Sequence, residues 1–157
     1  VFRVIDDLRQ FRSSNPRGGP MPVQPYLMFN GRCEEAVEFY KRAVGAEVEM
    51  LLRYDDSPDP VPEGMIPSKW GRKFMHTTMR IAGAQVLASD GDSETPPTFR
   101  GFSLSITLPA PADADRVFHA LAEGGKVTMP PAKTFWSERF GMLTDRFGVS
   151  WMVMVEA

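Results

Sequence analysis

The sequence predicts an α+β fold built from two copies of one strand–helix–strands module, and three observations carry that prediction. Two apolar, strand-forming runs, residues 23–29 and 101–108, each lead into a segment whose apolar residues recur at helical spacing. Each helical segment stops at glycine, Gly45 in the first and Gly124-Gly125 in the second. The two stops lie 79 residues apart, and at that offset Phe39 meets Phe118, Ala43 meets Ala122 and Val48 meets Val127. Residue identity between the halves is thin, so the shared order of elements marks the internal repeat.

In the first module, residues 32–44 read as a helix with Ala36, Phe39, Tyr40, Ala43 and Val44 on one face and Glu34, Glu35 and Glu38 on the other. Acids at its start and Lys41 and Arg42 near its end suit the helix dipole. Residues 47–54 alternate as a strand. Residues 55–72 form a long proline-rich loop, a length that in a small domain often covers a site. Phe74–Ile81 and Ala84–Ser89 form a hairpin across Ala82-Gly83. In the second module the strand at 101–108 is followed by a helix at 113–123 and a short strand at 126–129. A loop at 130–137 and strands at 139–144 and Ser150–Val155 complete it.

The domain expectation is a linker or extension over residues 1–22, rich in Gly, Pro and Ser, and one folded domain over 23–157, with modules at about 23–90 and 101–157. Half a sheet with one helix cannot close a core. Pairing the halves is expected to give a curved, mostly antiparallel sheet around a central cavity, with the helices outside.

Composition narrows the function classes. Eighteen basic and twenty acidic side chains leave a net charge of −2, without the basic excess that neutralises phosphates, so no nucleic-acid partner is expected. No stretch reaches the roughly 18 apolar residues of a membrane helix, and no secretory signal is visible. The single cysteine, Cys33, has no partner for an internal disulfide, which favours a reducing, cytoplasmic compartment.

Several separated motifs then fall in a familiar order. They are residues 24–31 (QPYLMFNG), Met75-His76, Ala88-Ser89-Asp90, residues 101–104 (GFSL), Lys133-Thr134-Phe135-Trp136, Phe140-Gly141-Met142 and residues 144–151 (TDRFGVSW). Over roughly residues 23–155 the chain resembles PhnB-like proteins of the glyoxalase, bleomycin-resistance and extradiol-dioxygenase superfamily, the vicinal oxygen chelate fold. The resemblance implies paired βαβββ modules and a homodimer. The superfamily includes metal-dependent isomerases, dioxygenases and thiol transferases, as well as proteins that sequester a drug without reacting with it, so fold alone does not choose among them. PhnB-like proteins are also labelled as ubiquinone-related methyltransferases, yet no glycine-rich strand-to-helix loop for a nucleotide-like cofactor is present.

Metal-using members of this superfamily place His, Glu or Gln on the first and last strands of each module. Here those strands offer Gln24 and Gln85 as the only candidate ligands, and neutral amides are weak ligands where a catalytic metal needs about three good ones. No metal and no cofactor are therefore expected. The ligand-binding candidates are His76, Trp136, Phe140, Trp151 and Tyr26. His76, the one candidate acid or base, shares a strand face with Thr78 and Arg80, and a hydrogen-bonded structural histidine is the alternative. The four aromatics either line an apolar cavity or fill the core, with Trp151 and Tyr26 leaning to the core or the module interface. His119, Asp55, Asp56, Glu138 and Arg139 read as surface residues, Asp145 as the brace of a turn and Cys33 as unreactive. The expected function is metal-independent binding of a small molecule. A metal-dependent lyase, isomerase or dioxygenase is the alternative.

Overall fold

A computed structural model describes residues 22–156. The expectations for residues 1–21 lie outside it. The first module comprises β1 (Tyr26–Met28), α1 (Cys33–Val44), β2 (Glu47–Arg53), β3 (Phe74–Ile81) and β4 (Ala84–Ser89). The second comprises β5 (Leu104–Leu108), α2 (Pro111–Ala122), β6 (Lys126–Ala132), β7 (Phe140–Thr144) and β8 (Ser150–Val155). The α+β class and the two βαβββ modules are as expected.

The repeat is more regular than identity suggested. β2 and β6 start and end 79 residues apart, whereas β4 and β8 start and end 66 apart. The loop between the second and third strands, 54–73 in the first module and 133–139 in the second, accounts for the difference of 13 residues.

Each module carries its own four-stranded sheet, in the order β1-β4-β3-β2 and β5-β8-β7-β6. The first strand of each runs parallel to the last, and all other pairings are antiparallel. Side chains alternate across a strand, and burial follows that alternation. Met79 and Ile81 of β3 and Val86 and Ala88 of β4 are buried on one face, as are Trp151, Val153 and Val155 of β8. The helices cover these faces and pack on each other at the seam of the two modules. Within one chain the helices therefore lie between the sheets rather than outside a single curved sheet. The physical reason is the aromatic cluster at the seam, where Tyr40 of α1 meets Trp151 and Phe147, and Phe39 meets Phe147, at ring separations of 5.6, 6.2 and 5.6 Å. Burying one ring of this size is worth about 1.5–3 kcal/mol, so the helix faces join into one core.

Asp145 braces the seam. Its buried carboxylate accepts from the Tyr40 hydroxyl at 2.7 Å, the Trp151 indole at 2.9 Å and the amides of Phe147 and Val149 at 2.9 and 3.0 Å. Asp90 plays a similar part in the first module, accepting from the amides of Cys33 and Phe74 at 2.7 Å each.

Both first strands are shorter than expected, starting at Tyr26 and Leu104, and two other boundaries differ for clear physical reasons. β6 continues through Pro130 and Pro131 to Ala132, where a loop was expected, because on an edge strand a missing N–H can face solvent. α2 begins at Pro111, two residues early, with proline in the first turn, where its lost N–H would have had no partner. The hairpin turn carries Ala82 and Gly83 at φ of 47° and 83°, the geometry of a two-residue hairpin connection. Among the described residues no helix is long and apolar enough to cross a membrane.

Candidate functional site

The faces of the sheets turned away from the helices are open, and four of the five ligand candidates, Tyr26, His76, Trp136 and Phe140, fall on them. On the first sheet, β1 turns out Tyr26 and Met28, 43% and 52% exposed, and β2 turns out Met50, 45% exposed. The register sets Tyr26 beside Leu87, Leu87 beside Thr78, Thr78 beside Met50, and His76 beside Leu52. The Tyr26 hydroxyl lies 2.9 Å from His76 Nδ1, and His76 Nε2 lies 3.4 Å from Thr78 Oγ1. Where Nδ1 accepts from Tyr26, Nε2 carries the proton and becomes a donor towards the open face; in the other tautomer Nε2 is an acceptor. The pair is a polar handle set among methionine and leucine side chains.

The remaining polar groups of this face are engaged with one another. Gln24 donates to Gln85, Gln85 donates to Glu49 at 2.7 Å, and Arg80 Nε donates to Glu49 at 2.6 Å. Hydrogen bonds from Gln85 and Arg80 hold the Glu49 carboxyl below the usual carboxylate range.

The open face of the second sheet carries Phe140, Met142 and Thr144 of β7 opposite Met154, Met152 and Ser150 of β8. Trp136 stacks edge-on over Phe140, with ring centroids 5.6 Å apart. Ser103 and Ser150 hydroxyls pair at 2.7 Å. Tyr26 and His76 thus come together on one sheet and Trp136 and Phe140 on the other. Trp151 joins neither pair: it is 2% exposed, faces the helices and binds Asp145.

The cavity between the modules is a cleft of about 270 Å³, bordered by the Ala82 turn, Val86, β5 and Trp151. Of the five ligand candidates only Trp151 lines it, so the candidate site is on the open faces and not in this cleft. A larger recess of about 590 Å³ lies in the long first-module loop, beside Tyr54, Val61, Ile66 and Pro67.

The other singled-out residues take structural places. Arg139 binds Asp115 of α2 through two nitrogens, at 2.7 and 2.8 Å, and that guanidinium holds the Asp115 carboxyl down. His119, Glu138, Asp55 and Asp56 are exposed. Cys33 is buried at the start of α1, and burial together with the Asp90 carboxylate raises its thiol pKa far above the usual range. The seam carboxylate at Asp145 exceeded its expected role as turn brace. An Asp-Arg-Phe-Gly turn signals only local amide bonds, and its partnership with Tyr40, 105 residues away, has no sequence signal.

Neither a metal nor a nucleotide-like cofactor fits these residues. Among the described residues, no group of three His, Cys, Asp or Glu side chains is placed to hold an ion. The amides of Gln24 and Gln85 are spent on each other and on Glu49. The β1–α1 turn, where such a cofactor would set its phosphates, has Trp70 packed against it, 3.3 Å from where a Cβ on Gly31 would lie. The first amide of α1 is already taken by Asp90, and the β5–α2 turn is Pro109-Ala110-Pro111.

Comparison with known proteins bears on the family and the fold. The sequence profile described as 3-demethylubiquinone-9 3-methyltransferase matches residues 22–154. The crystal structure of protein PA1353 from Pseudomonas aeruginosa is similar at 41% identity and a TM-score of 0.75, over 87% of this chain and 98% of that one. A putative 3-demethylubiquinone-9 3-methyltransferase, PhnB protein, from Bacillus cereus is similar at 30% identity and a TM-score of 0.71, over 86% and 99%. A glyoxylase/bleomycin resistance protein/dioxygenase domain from Frankia sp. EAN1pec, at 13% identity, shares the fold, with a TM-score of 0.58 over 88% and 100%. The chain belongs to the PhnB-like family described as 3-demethylubiquinone-9 3-methyltransferase.

Proposed function

We propose that this protein is a cytoplasmic, metal-independent small-molecule binding protein that works as a homodimer. The observation that carries the reading is the Tyr26–His76 pair on an open, otherwise apolar patch of Met28, Met50, Leu52 and Leu87. An apolar platform with a few placed polar groups is the ordinary make-up of a ligand site. It suits a flat apolar molecule bearing one oxygen that meets His76 Nε2, such as a quinone, a phenol or an aromatic carboxylate. A ubiquinone-like ring would also meet that description, which reconciles the family's description with binding in place of methyl transfer. The free, buried thiol of Cys33 fits a reducing compartment.

The test is a thermal-shift screen of metal-free protein against quinones, phenols and aromatic carboxylates, followed by titration of His76→Ala. Members of that panel should raise Tm with chelator present, and His76→Ala should weaken binding about tenfold, the equivalent of one hydrogen bond of about 1.4 kcal/mol. The reading fails if no compound in the panel binds. It also fails if binding needs a stoichiometric divalent ion, which would favour a metal-dependent lyase, isomerase or dioxygenase.

A further inference from the structure

Four of the chain's ten methionines stand together on the open face of the second sheet. The register sets Met129 of β6 beside Met142 of β7, and Met142 beside Met152 of β8, so three thioether side chains form one row across three adjacent strands. Met154 lies two residues beyond Met152 on the same face, opposite Phe140. All four are half-buried.

Core filling does not account for the row. A methionine that fills the core lies on the helix side, as Met79 does at 0% exposure. Gly141 faces the helix side, where its Cβ would meet the ring of Phe118, so Met142, next along the strand, points the opposite way. The pairing of β6 has been adjusted to complete the row. Val127 pairs with Leu143, which is buried against the helices, and unshifted pairing would then set Thr128 opposite Met142. The register instead shifts between Val127 and Met129, and Met129 takes that place. Re-aiming one side chain is what a bulge does, and bulges gather beside functional sites.

The chemistry of the row is soft and uncharged. The neighbouring register positions bring Lys126, Thr144 and Ser150 on one side and Phe140 and Met154 on the other, with no carboxylate among them. A hard or borderline divalent ion would find no anionic donor there. Histidine, thiolate and carboxylate groups are gathered nowhere among the described residues, but thioethers are, and thioether sulfur selects Cu(I). Adjacent strands lie about 4.8 Å apart, and methionine turns about three side-chain bonds. Met129 and Met152 can therefore lean over Met142 and offer three sulfurs to one ion.

We propose that Met129, Met142 and Met152 form a binding site for a soft monovalent cation, Cu(I) or its redox-silent counterpart Ag(I). The ion is held by neutral donors and keeps its single charge beside the Phe140 ring. The site does not rest on the reading of Tyr26 and His76, which lie on the other sheet.

The experiment uses the full chain carrying Cys33→Ala, so that the one thiol contributes nothing. Anaerobic titration with Cu(I) against a chromogenic Cu(I) chelator should give one ion per chain, undisturbed by a tenfold excess of Zn(II). Methionine-methyl NMR with Ag(I) should move the signals of Met129, Met142 and Met152 and leave that of Met65, in the long loop, in place. Met142→Leu and Met152→Leu conserve volume and keep the fold. Each should weaken Cu(I) binding at least about tenfold, the lower end of what even an outer-shell partner contributes at a metal site. Met65→Leu and His76→Ala should leave the affinity unchanged. Absence of a stoichiometric Cu(I) complex, displacement by Zn(II), methyl shifts centred on other methionines, or affinity that survives both leucine variants overturns the proposal. A loss of Cu(I) affinity in His76→Ala would also overturn it, by moving the ion to the first sheet.

Discussion

Removing the Tyr40 hydroxyl measures how strongly the seam holds the modules together. Tyr40 is fully buried, and its hydroxyl donates to Asp145 Oδ2 at 2.7 Å. In Tyr40→Phe the ring stays, with its contacts to Phe29, Phe39, Phe147 and Trp151, so packing changes little. The loss is one of the four donors to a buried carboxylate. Hydrogen bonds to a charged group are worth about 1.5–3 kcal/mol, and a central value of about 2 kcal/mol lowers Tm by roughly 4–8 °C in a chain of this size. Urea unfolding followed by circular dichroism gives the free energy, and calorimetry gives Tm. Tyr54→Phe is the internal control. Its hydroxyl donates to the neutral Gly91 carbonyl in a half-buried setting, so its cost should be smaller, about 0.5–1.5 kcal/mol. A Tyr40→Phe loss below about 0.5 kcal/mol, or one no larger than that of Tyr54→Phe, would refute the reasoning. It would mean that three donors satisfy Asp145 as well as four.

Two further outcomes follow from burial and close approach. Because burial raises the Cys33 thiol pKa while the unfolded thiol ionises near about 8.5, its contribution to stability is whole below that pH and is lost as pH rises above it. Cys33→Ala should flatten the alkaline fall in urea stability between pH about 8.5 and 10, and the native thiol should resist a disulfide reagent at pH about 8 until the protein unfolds; rapid labelling of folded protein would contradict this. Gly141→Ala should destabilise by about 1–3 kcal/mol in the same unfolding assay, since its Cβ would lie 2.7 Å from a ring carbon of buried Phe118 and 3.2 Å from the Met129 carbonyl. An unchanged midpoint would show that Phe118 has room to yield.

What could be read in advance, and what could not, divides by the range of the interaction involved. The helix at 32–44 was legible because its signals are local: apolar spacing, acids at one end, bases at the other and Gly45 in the left-handed conformation, φ 67°, at its close. The hairpin at Ala82-Gly83 was legible for the same reason. The reach of β6 through two prolines was not, because proline is tolerated there only on account of the strand's edge position, which belongs to the sheet and not to the segment. Of the site, the partnership of Tyr26 with His76 could not be seen, since 50 residues separate them and only the β1-β4-β3 order brings them to one face.

By itself, then, the amino-acid order determined the two modules, their elements and their family, because strand alternation, helical spacing and turn chemistry act over a few residues and repeat at a fixed offset. Tertiary structure alone decided which side of each sheet is open. That choice is made by long-range burial: Tyr40, Phe147 and Trp151 draw the helices together around a single carboxylate, and the faces bearing His76 and Trp136 are left turned outwards.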